Sequence, residues 1–524
     1  MFENTVSRDP GAVFCRYLDR TITYAEADRI TRAFASELIE AGTGRGDCVV
    51  MAIKKSEWCM LAPLAIVRAG ACYASVDHRV PDEMAAMMIR ETRAGIVLVD
   101  ADTRERMEKA AGQFGCRIID VSRFMESGAS RALPEDTSLD SIAYIQYTSG
   151  TTGVPKGAAV CHAGVINAAI DDERRFGKRG RCSAIASTPS FLAFHVEFWA
   201  CVYYGRAAVL VPDDLRYDIA SLNRFYSENG IDTAFLITPL AKLYVSNVGE
   251  TPLKTLNIGG EATGCFEYDL DADLREGYGC TEFGCIAATS VRARTDPSSV
   301  GRLACNTKAY ILDEEGRRVP YGAAGILHVS GPPLTRGYLF RDADNASSFR
   351  GNPFCSEPGY ERLFRVGDTA RFLPDGTLAI LGRKDGQVKI RGFRVELTEV
   401  EAAIRRCRDV IDVCVTAPRL GSGTRSLVAY IVGRRPFDQE EVAKIVLETK
   451  AAHLVPSYVV NLERLPVGRT GKIDRKSLPL PESAGSGKNP SDIREKVICR
   501  HMSEVLGIPG IGPDDDFILL GGDS

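Results

Sequence analysis

Short runs dense in β-branched and aliphatic residues punctuate the chain: CVVMAI (48–53), GIVLVD (95–100), AAVLVP (207–212) and TAFLIT (233–238). Their length and composition predict strands. Between them lie longer segments of helical periodicity, such as YAEADRITRAFASELIEAG (24–42), and this alternation predicts α/β layering. Around 320–382 the texture changes to short strands broken by Gly, Pro and Asp turns (PYGAAG, LPDGT), as expected of a more β-rich section. From about Gly386 the pattern becomes a compact α+β piece ending near Leu480, and PESAGSGKNPS (481–491) reads as a linker. The last stretch holds an amphipathic helix candidate, SDIREKVICRHMSEVLG, and an acidic loop, GPDDDFILLGGDS. It is too short to fold well alone, which predicts a fragment or an incomplete module. The expected boundaries are 1–384 for a large α/β part, 385–480 for a small α+β part, 481–490 for the linker and 491–524 for the final segment.

Composition narrows the class. With 524 residues, 45% of them hydrophobic and 26% charged, the chain can bury a sizeable core, which excludes wholesale disorder. Lys plus Arg (65) nearly balance Asp plus Glu (69), giving a net charge of −4 without long runs of either sign, so no nucleic-acid partner is expected. The start MFENTVSRDP has no targeting pattern, and no apolar run approaches the ~18 residues of a membrane span. A cytoplasmic protein without a membrane partner is expected. Sixteen cysteines are scattered without a CxxC pair and only six histidines accompany them, so they read as small buried hydrophobes rather than zinc ligands.

The sharpest local signal is IAYIQYTSGTTGVPKG (142–157), a strand-like run leading into Thr148, Ser149, Gly150, Thr151, Thr152 and Gly153 and ending at Lys156. Glycines let backbone N–H groups approach an anion, hydroxyls add donors and the lysine adds charge, which suits a polyphosphate. It is not a P-loop, because Lys156 follows Pro155 and precedes Gly157.

The whole string resembles the phosphate-binding loop of acyl-adenylate-forming enzymes: adenylation domains, acyl-CoA ligases and luciferases. Further strings resemble the adenylation domains of nonribosomal peptide synthetases, in order and over nearly the whole chain. They are ITYAEAD (22–28), IVRAGACYASVDHRVP (66–81), GYGCTE (277–282), GILHVSGPPLTRGYL (325–339), FRVGD (364–368), GRKDGQVKIRGFRVELTEVE (382–401) and TGKIDR (470–475). The resemblance implies a large N-terminal adenylate-forming domain with a small mobile C-terminal domain. It also implies a reaction of ATP with a carboxylic acid to give acyl-AMP and pyrophosphate, followed by acyl transfer to a thiol. Glu282 would hold Mg²⁺ and Thr281 a phosphate. Tyr278, beside Gly279, and the Gly259-Gly260 backbone would sandwich adenine, and Asp368, assisted by Arg383, would bind the ribose. Lys472 would bridge the carboxylate and the α-phosphate, Asp385 would be the hinge and Gly392 would line the thiol's tunnel. The closing LGGDS resembles a peptidyl carrier motif, with Ser524 receiving phosphopantetheine. Two departures stand out: Cys280 where many relatives have proline, and Glu276 where many have an asparagine that contacts the adenine amino group, a contact Glu276 could still accept.

Ungapped alignment of PSFLAFHVEFWACVYYG through Phe191, Glu197 and Gly205 puts Leu192 where amino-acid-activating members carry an aspartate for the substrate's α-ammonium. The expected substrate therefore lacks a free α-amino group. The remaining lining would be Ala193, Val196, Leu240, Asn257, Gly259, Gly277, Cys285 and Ile286, with only Asn257 clearly polar. An aryl acid, an α-keto or α-hydroxy acid, or an amino acid held by other means all remain open. A gapped alternative would make His195 the polar contact. The leading expectation is an adenylation domain that initiates a synthetase and loads a carrier in cis. An acyl-CoA or aryl-CoA ligase of the same fold is the alternative. A degenerate nucleotide-binding scaffold is disfavoured by Lys156, Thr281, Glu282, Asp368 and Lys472.

Overall fold

The computed structural model describes residues 2–124, 133–134, 138–148, 155–176, 180–216, 218–261, 263, 268–294, 296–383, 387–390, 393–420, 424–466, 475, 477–481, 492–506 and 511–513. Contacts divide the chain into two compact units: a large one of Met1–His78, Ala85–Thr148 and Lys156–Asp385, and a small one of Arg79–Met84, Ser149–Pro155 and Gly386–Ser524.

Among the described residues the large unit contains two sheets. In the six-stranded sheet the order is Arg117–Asp120, Ile96–Val99, Cys48–Ala52, Cys72–Ser75, Ile142–Thr148, Lys156–Cys161. The first five run parallel and the last is antiparallel to its neighbour. Cys48–Ala52 and Ile96–Val99 are buried at every position, which is why their sequences lack alternation: a parallel sheet is covered on both faces. Helix Tyr24–Glu40 supplies part of the cover. It starts where it does because Thr23 and Glu26 form a reciprocal cap, with Thr23 N donating to Glu26 Oε2 at 2.8 Å and Glu26 N donating to Thr23 Oγ1 at 3.2 Å. Its buried face, Ala27, Ile30, Phe34 and Leu38, repeats at helical spacing, and Phe34 stacks on Phe124 at 3.7 Å.

The second sheet has 14 strands. Cys182–Ile185, Thr233–Ile237, Thr255–Gly259 and Asp273–Cys280 pair in parallel. From Asp273–Cys280 the sheet continues antiparallel through Gly284–Ser290, Ser299–Leu303, Leu378–Arg383 and Arg362–Phe372. The β-rich texture read around 320–382 is this end of the sheet.

In the small unit, strands Val410–Thr416, Val428–Gly433 and Tyr458–Asn461 form a three-stranded sheet. Helices Leu397–Ile404 and Gln439–Leu447 bury Val400, Ile404, Val442 and Val446 in one cluster with Val413, Val415 and Ile431 of the sheet. The α+β character expected after Gly386 is present. The amphipathic helix expected near the end is Ile493–Leu506. Among the described residues no helix is long and apolar enough to cross a membrane, and all cysteines are free thiols.

Candidate active site

Thr148 pairs with Lys156 in the antiparallel register, so both stand at the base of one hairpin. Ser149, Gly150, Thr151, Thr152 and Gly153 lie outside the described residues. Backbone bonds from Leu339 N to Gly157 O and from Ala159 N to Gly337 O, both 2.9 Å, lay residues 337–339 beside strand Lys156–Cys161. That places Tyr338 against Lys156, whose buried Nζ lies 5.3 Å from the Tyr338 ring centroid and 2.6 Å from Asp344 Oδ1. On its other side Tyr338 donates its hydroxyl to Glu282 Oε1 at 2.6 Å. A lysine and a fully buried carboxylate thus flank one tyrosine. Thr281, in the turn before Gly284–Ser290, is half-buried, and its hydroxyl has no hydrogen-bond partner among the described residues.

A second group forms across the large sheet. Asp368 and Arg383 face each other in register, with Arg383 Nη1 3.3 Å from Asp368 Oδ1. Tyr278 donates its hydroxyl to Asp368 Oδ2, and burial together with the Asp368 charge holds the phenol well above its ordinary range. Gly279 is required by the hairpin that carries Tyr278: a Cβ there would lie 2.0 Å from Gly284 O. Gly260, just past strand Thr255–Gly259, has φ +95, a left-handed conformation suited to glycine.

Glu276 is buried on the strand face opposite the exposed Gly277, where Thr263 N, Thr263 Oγ1 and Arg294 Nη2 all donate to its carboxylate. The sequence pattern does not foresee this internal ion pair.

Helix Leu192–Tyr204 carries one wall of the expected acid pocket, with Phe191 as its N-cap and Gly205, at φ +70, as its C-cap. Phe191, Leu192 and Ala193 are half-buried and Val196 is 45% exposed, whereas Phe194, His195, Glu197 and Phe198 turn into the core. This is the face selected by the ungapped alignment. His195 hydrogen-bonds Tyr73 and Gln146 inside the core, which removes it from the pocket and excludes the gapped alternative. Asn257 is half-buried, and its amide has no hydrogen-bond partner among the described residues. Leu240 and Ile286 are buried in apolar clusters, while Cys285 is half-open.

Residues 2–339 match the AMP-binding enzyme family, and residues 399–472 match the AMP-binding enzyme C-terminal domain. The chain belongs to the AMP-binding enzymes. It is an acyl-adenylate-forming ligase, an adenylation domain that activates a carboxylic acid as acyl-AMP. Among curated relatives, malpibaldin synthetase of Mortierella alpina is 33% identical over 546 residues, covering 100% of this chain and 10% of that protein. Tyrocidine synthase 3 of Brevibacillus parabrevis is 33% identical over 541 residues, covering 100% of this chain and 8% of that protein. This AMP-binding enzyme therefore spans about a tenth of the length of these relatives. An NRPS protein containing adenylation and PCP domains, solved with a vinylsulfonamide inhibitor, aligns over 100% of this chain and 89% of its own at TM-score 0.79 and 24% identity. A double mutant of the o-succinylbenzoate CoA synthetase of Bacillus subtilis aligns over 91% of this chain and 97% of its own at TM-score 0.79 and 19% identity. These likenesses show a mixed α/β adenylate-forming fold with a large N-terminal and a small C-terminal domain.

In this AMP-binding enzyme the residues present suit magnesium. Mg²⁺ is commonly held by one or two carboxylates together with substrate phosphates, and Glu282 offers one buried carboxylate next to the Thr281 hydroxyl. Among the described residues no cluster of three or more acidic, His or Cys side chains offers an all-protein cage. Lys472, Asp385, Gly392 and Ser524 lie outside the described residues. Three residues that pattern reading did not single out complete the picture: Tyr338 and Asp344 around Lys156, and Phe235. Phe235 pairs in register with Asn257, and a Cβ on Gly259 would stand 3.3 Å from its ring. The strand period of TAFLIT could have flagged Phe235, and Tyr338 lies inside the GILHVSGPPLTRGYL string, but no local signal marks Asp344.

The buried Glu197 anchors the pocket helix by accepting from Ala186 N and Ser187 N, both at 3.3 Å. Burial pushes its carboxyl from 4.5 up to about 7 even though both amides oppose the rise. A carboxyl raised in the folded state contributes stability that is complete below its unfolded value and is lost as pH rises through its folded value. Glu197→Gln should therefore flatten the fall in stability between pH 4.5 and about 7, read by denaturant titration across that window. A variant with the wild-type slope would assign the slope to other groups.

Proposed function

We propose that this adenylation domain activates a carboxylic acid lacking a free α-amino group, an aryl acid or an α-keto or α-hydroxy acid, and passes the acyl group to a carrier-bound phosphopantetheine thiol. The observation that carries the acid class is the open face of helix Leu192–Tyr204: Leu192, Ala193 and Val196 present no carboxylate there, and the helix's one acidic residue, Glu197, is spent on backbone amides in the core. A substrate ammonium facing Leu192 would be buried without its counter-charge, a loss of about 3–5 kcal/mol. Asn257 offers one amide to a carbonyl, hydroxyl or ring substituent, and Gly259 and Gly277 leave room for the acyl group.

In the first half-reaction an oxygen of the substrate carboxylate attacks the α-phosphorus of ATP and the bond to pyrophosphate breaks. Lys156 and Thr281 would hold the phosphates, the lysine leaving Asp344 for them, and Glu282 would hold Mg²⁺. The metal, when bound, offsets the negative charge that grows on the departing pyrophosphate. Tyr278 and the Gly259-Gly260 backbone would flank adenine, and Asp368, already oriented by Arg383, would accept from the ribose hydroxyls. Lys472 would place its charge on the carboxylate and α-phosphate oxygens. In the second half-reaction the thiol sulfur attacks the acyl carbon and AMP leaves, in a pose reached by rotation of the 385–480 domain about Asp385, with Gly392 lining the thiol's path. The LGGDS ending supports a carrier as acceptor, with Ser524 as its attachment point, in a cytoplasmic synthetase.

Acid-dependent pyrophosphate exchange across benzoates, anthranilates, α-keto acids, α-hydroxy acids and α-amino acids tests the reading. Exchange with members of the first four classes is expected. Exchange with α-amino acids alone would overturn the acid class while leaving adenylation intact. Free CoA should be a poor acceptor; efficient CoA thioester formation would favour the ligase alternative.

A further inference from the structure

Gln146 lies two residues before Thr148 on strand Ile142–Thr148, and it carries an amide into the core, where it is 5% exposed. Its Oε1 accepts from His195 Nε2 at 3.1 Å, and its Nε2 donates to the Ser190 carbonyl and, at 3.3 Å, to the Tyr147 carbonyl. His195 Nδ1 accepts from the Tyr73 hydroxyl at 2.9 Å, and the imidazole stacks on Tyr144 with centroids 3.7 Å apart. Bond directions follow from chemistry: Oε1 carries no proton, so His195 must be protonated at Nε2 and present its lone pair to Tyr73. Burial, against a hydrogen bond with the Pro189 backbone, lowers His195 from 6.5 to about 3, which keeps the ring neutral with one donor and one acceptor. A flipped Gln146 amide would set oxygen against the Ser190 and Tyr147 carbonyls, so those carbonyls fix its orientation and His195 takes the tautomer that matches it.

The Ser190 carbonyl is one residue before Phe191, the N-cap of helix Leu192–Tyr204. The amide of Gln146 thus fastens the start of the acid-binding helix to a strand whose end, Thr148, is about 7 Å further along. Buried polar groups are costly to orient, and a fully satisfied network of them specifies one arrangement of the elements it joins.

We propose that Gln146, oriented by the Ser190 carbonyl and seated on His195, is a positioning residue for adenylation: it sets the first turn of the pocket helix, and with it the bound acid, against the strand that leads into the phosphate-binding segment. This rests on the reading of Leu192, Ala193 and Val196 as acid-pocket residues.

The test compares wild type with Gln146→Glu and with the triple variant Tyr73→Phe/Gln146→Met/His195→Leu, using whichever acid the wild type activates. The triple variant removes the interacting polar side chains together and should regain most of the thermal stability that Gln146→Met alone loses. Its kcat/KM for the acid should nevertheless stay about 10–100-fold below wild type, with KM for ATP changed less than twofold. Gln146→Glu keeps an acceptor for His195 but loses the donor to Ser190, and should show the same acid-specific loss. If the triple variant regains stability and kcat/KM together, or if Gln146→Glu matches wild type in acid kcat/KM, the network is structural only and the proposal fails. Wild-type turnover of α-amino acids alone would overturn the acid class instead, since the comparison is made with the acid that is turned over.

Discussion

Glu282→Gln should form acyl-adenylate about 10²–10³-fold more slowly than wild type at saturating ATP, acid and magnesium, the size of effect expected when one preorganised charge-stabilising group is removed. The substitution is nearly isosteric. Its amide oxygen can still accept from the Tyr338 hydroxyl, so the bond that seats the side chain at 2.6 Å survives and the fold with it. What disappears is the negative charge available to a cation that also binds phosphate oxygens. Tyr338→Phe isolates the seating bond, since it leaves the charge and removes only the donor, and should cost about tenfold or less. Stopped-time assays of pyrophosphate release, with melting curves as a control on folding, give both numbers. A Glu282→Gln enzyme with the wild-type rate would remove Glu282 from metal binding altogether.

Leu192→Asp should lower kcat/KM for the native acid by about 10²-fold or more. Leu192 begins the pocket helix and is half-buried, so an aspartate there would set a carboxylate against an apolar acyl group and the substrate's own negative end. The same carboxylate supplies the partner that an α-ammonium needs, so exchange with apolar α-amino acids should rise from background as the native activity falls. The ratio of the two activities, measured on one preparation, is independent of how much enzyme is correctly folded. Unchanged preference would mean that position 192 does not face the acid.

The α/β layering was legible because buried parallel strands and amphipathic helices differ in period and length, as Cys48–Ala52 and Tyr24–Glu40 illustrate. The family was legible because its motifs are contiguous strings, such as the one whose Thr148 and Lys156 stand at the base of one hairpin. The ion pair of Glu276 was not legible, because its partner Arg294 is 18 residues away in the chain. Tyr338 and Asp344 were missed on similar grounds: Asp344 stands 188 residues from Lys156 and Tyr338 stands 56 from Glu282, and only tertiary folding brings them together. His195 stays open as a pocket contact in the sequence alone, because helix orientation cannot be read from a segment apolar on nearly all sides. Its hydrogen bonds to Tyr73 and Gln146 decide the matter.

Tyr278, Asp368 and Arg383 stand on strands joined by successive antiparallel pairings, with register shifts along the way, from Asp273–Cys280 through Gly284–Ser290, Ser299–Leu303 and Leu378–Arg383 to Arg362–Phe372. An amide proton in the middle of such a sheet exchanges with solvent only when neighbouring strands part as well, so these strands should open together. Lys156–Cys161, though last in its six-stranded sheet, is bonded along its other edge to residues 336–339 and is buried at every position. Deuterium uptake should therefore be slow along the strand bearing Lys156 as well as along those bearing Tyr278 and Asp368.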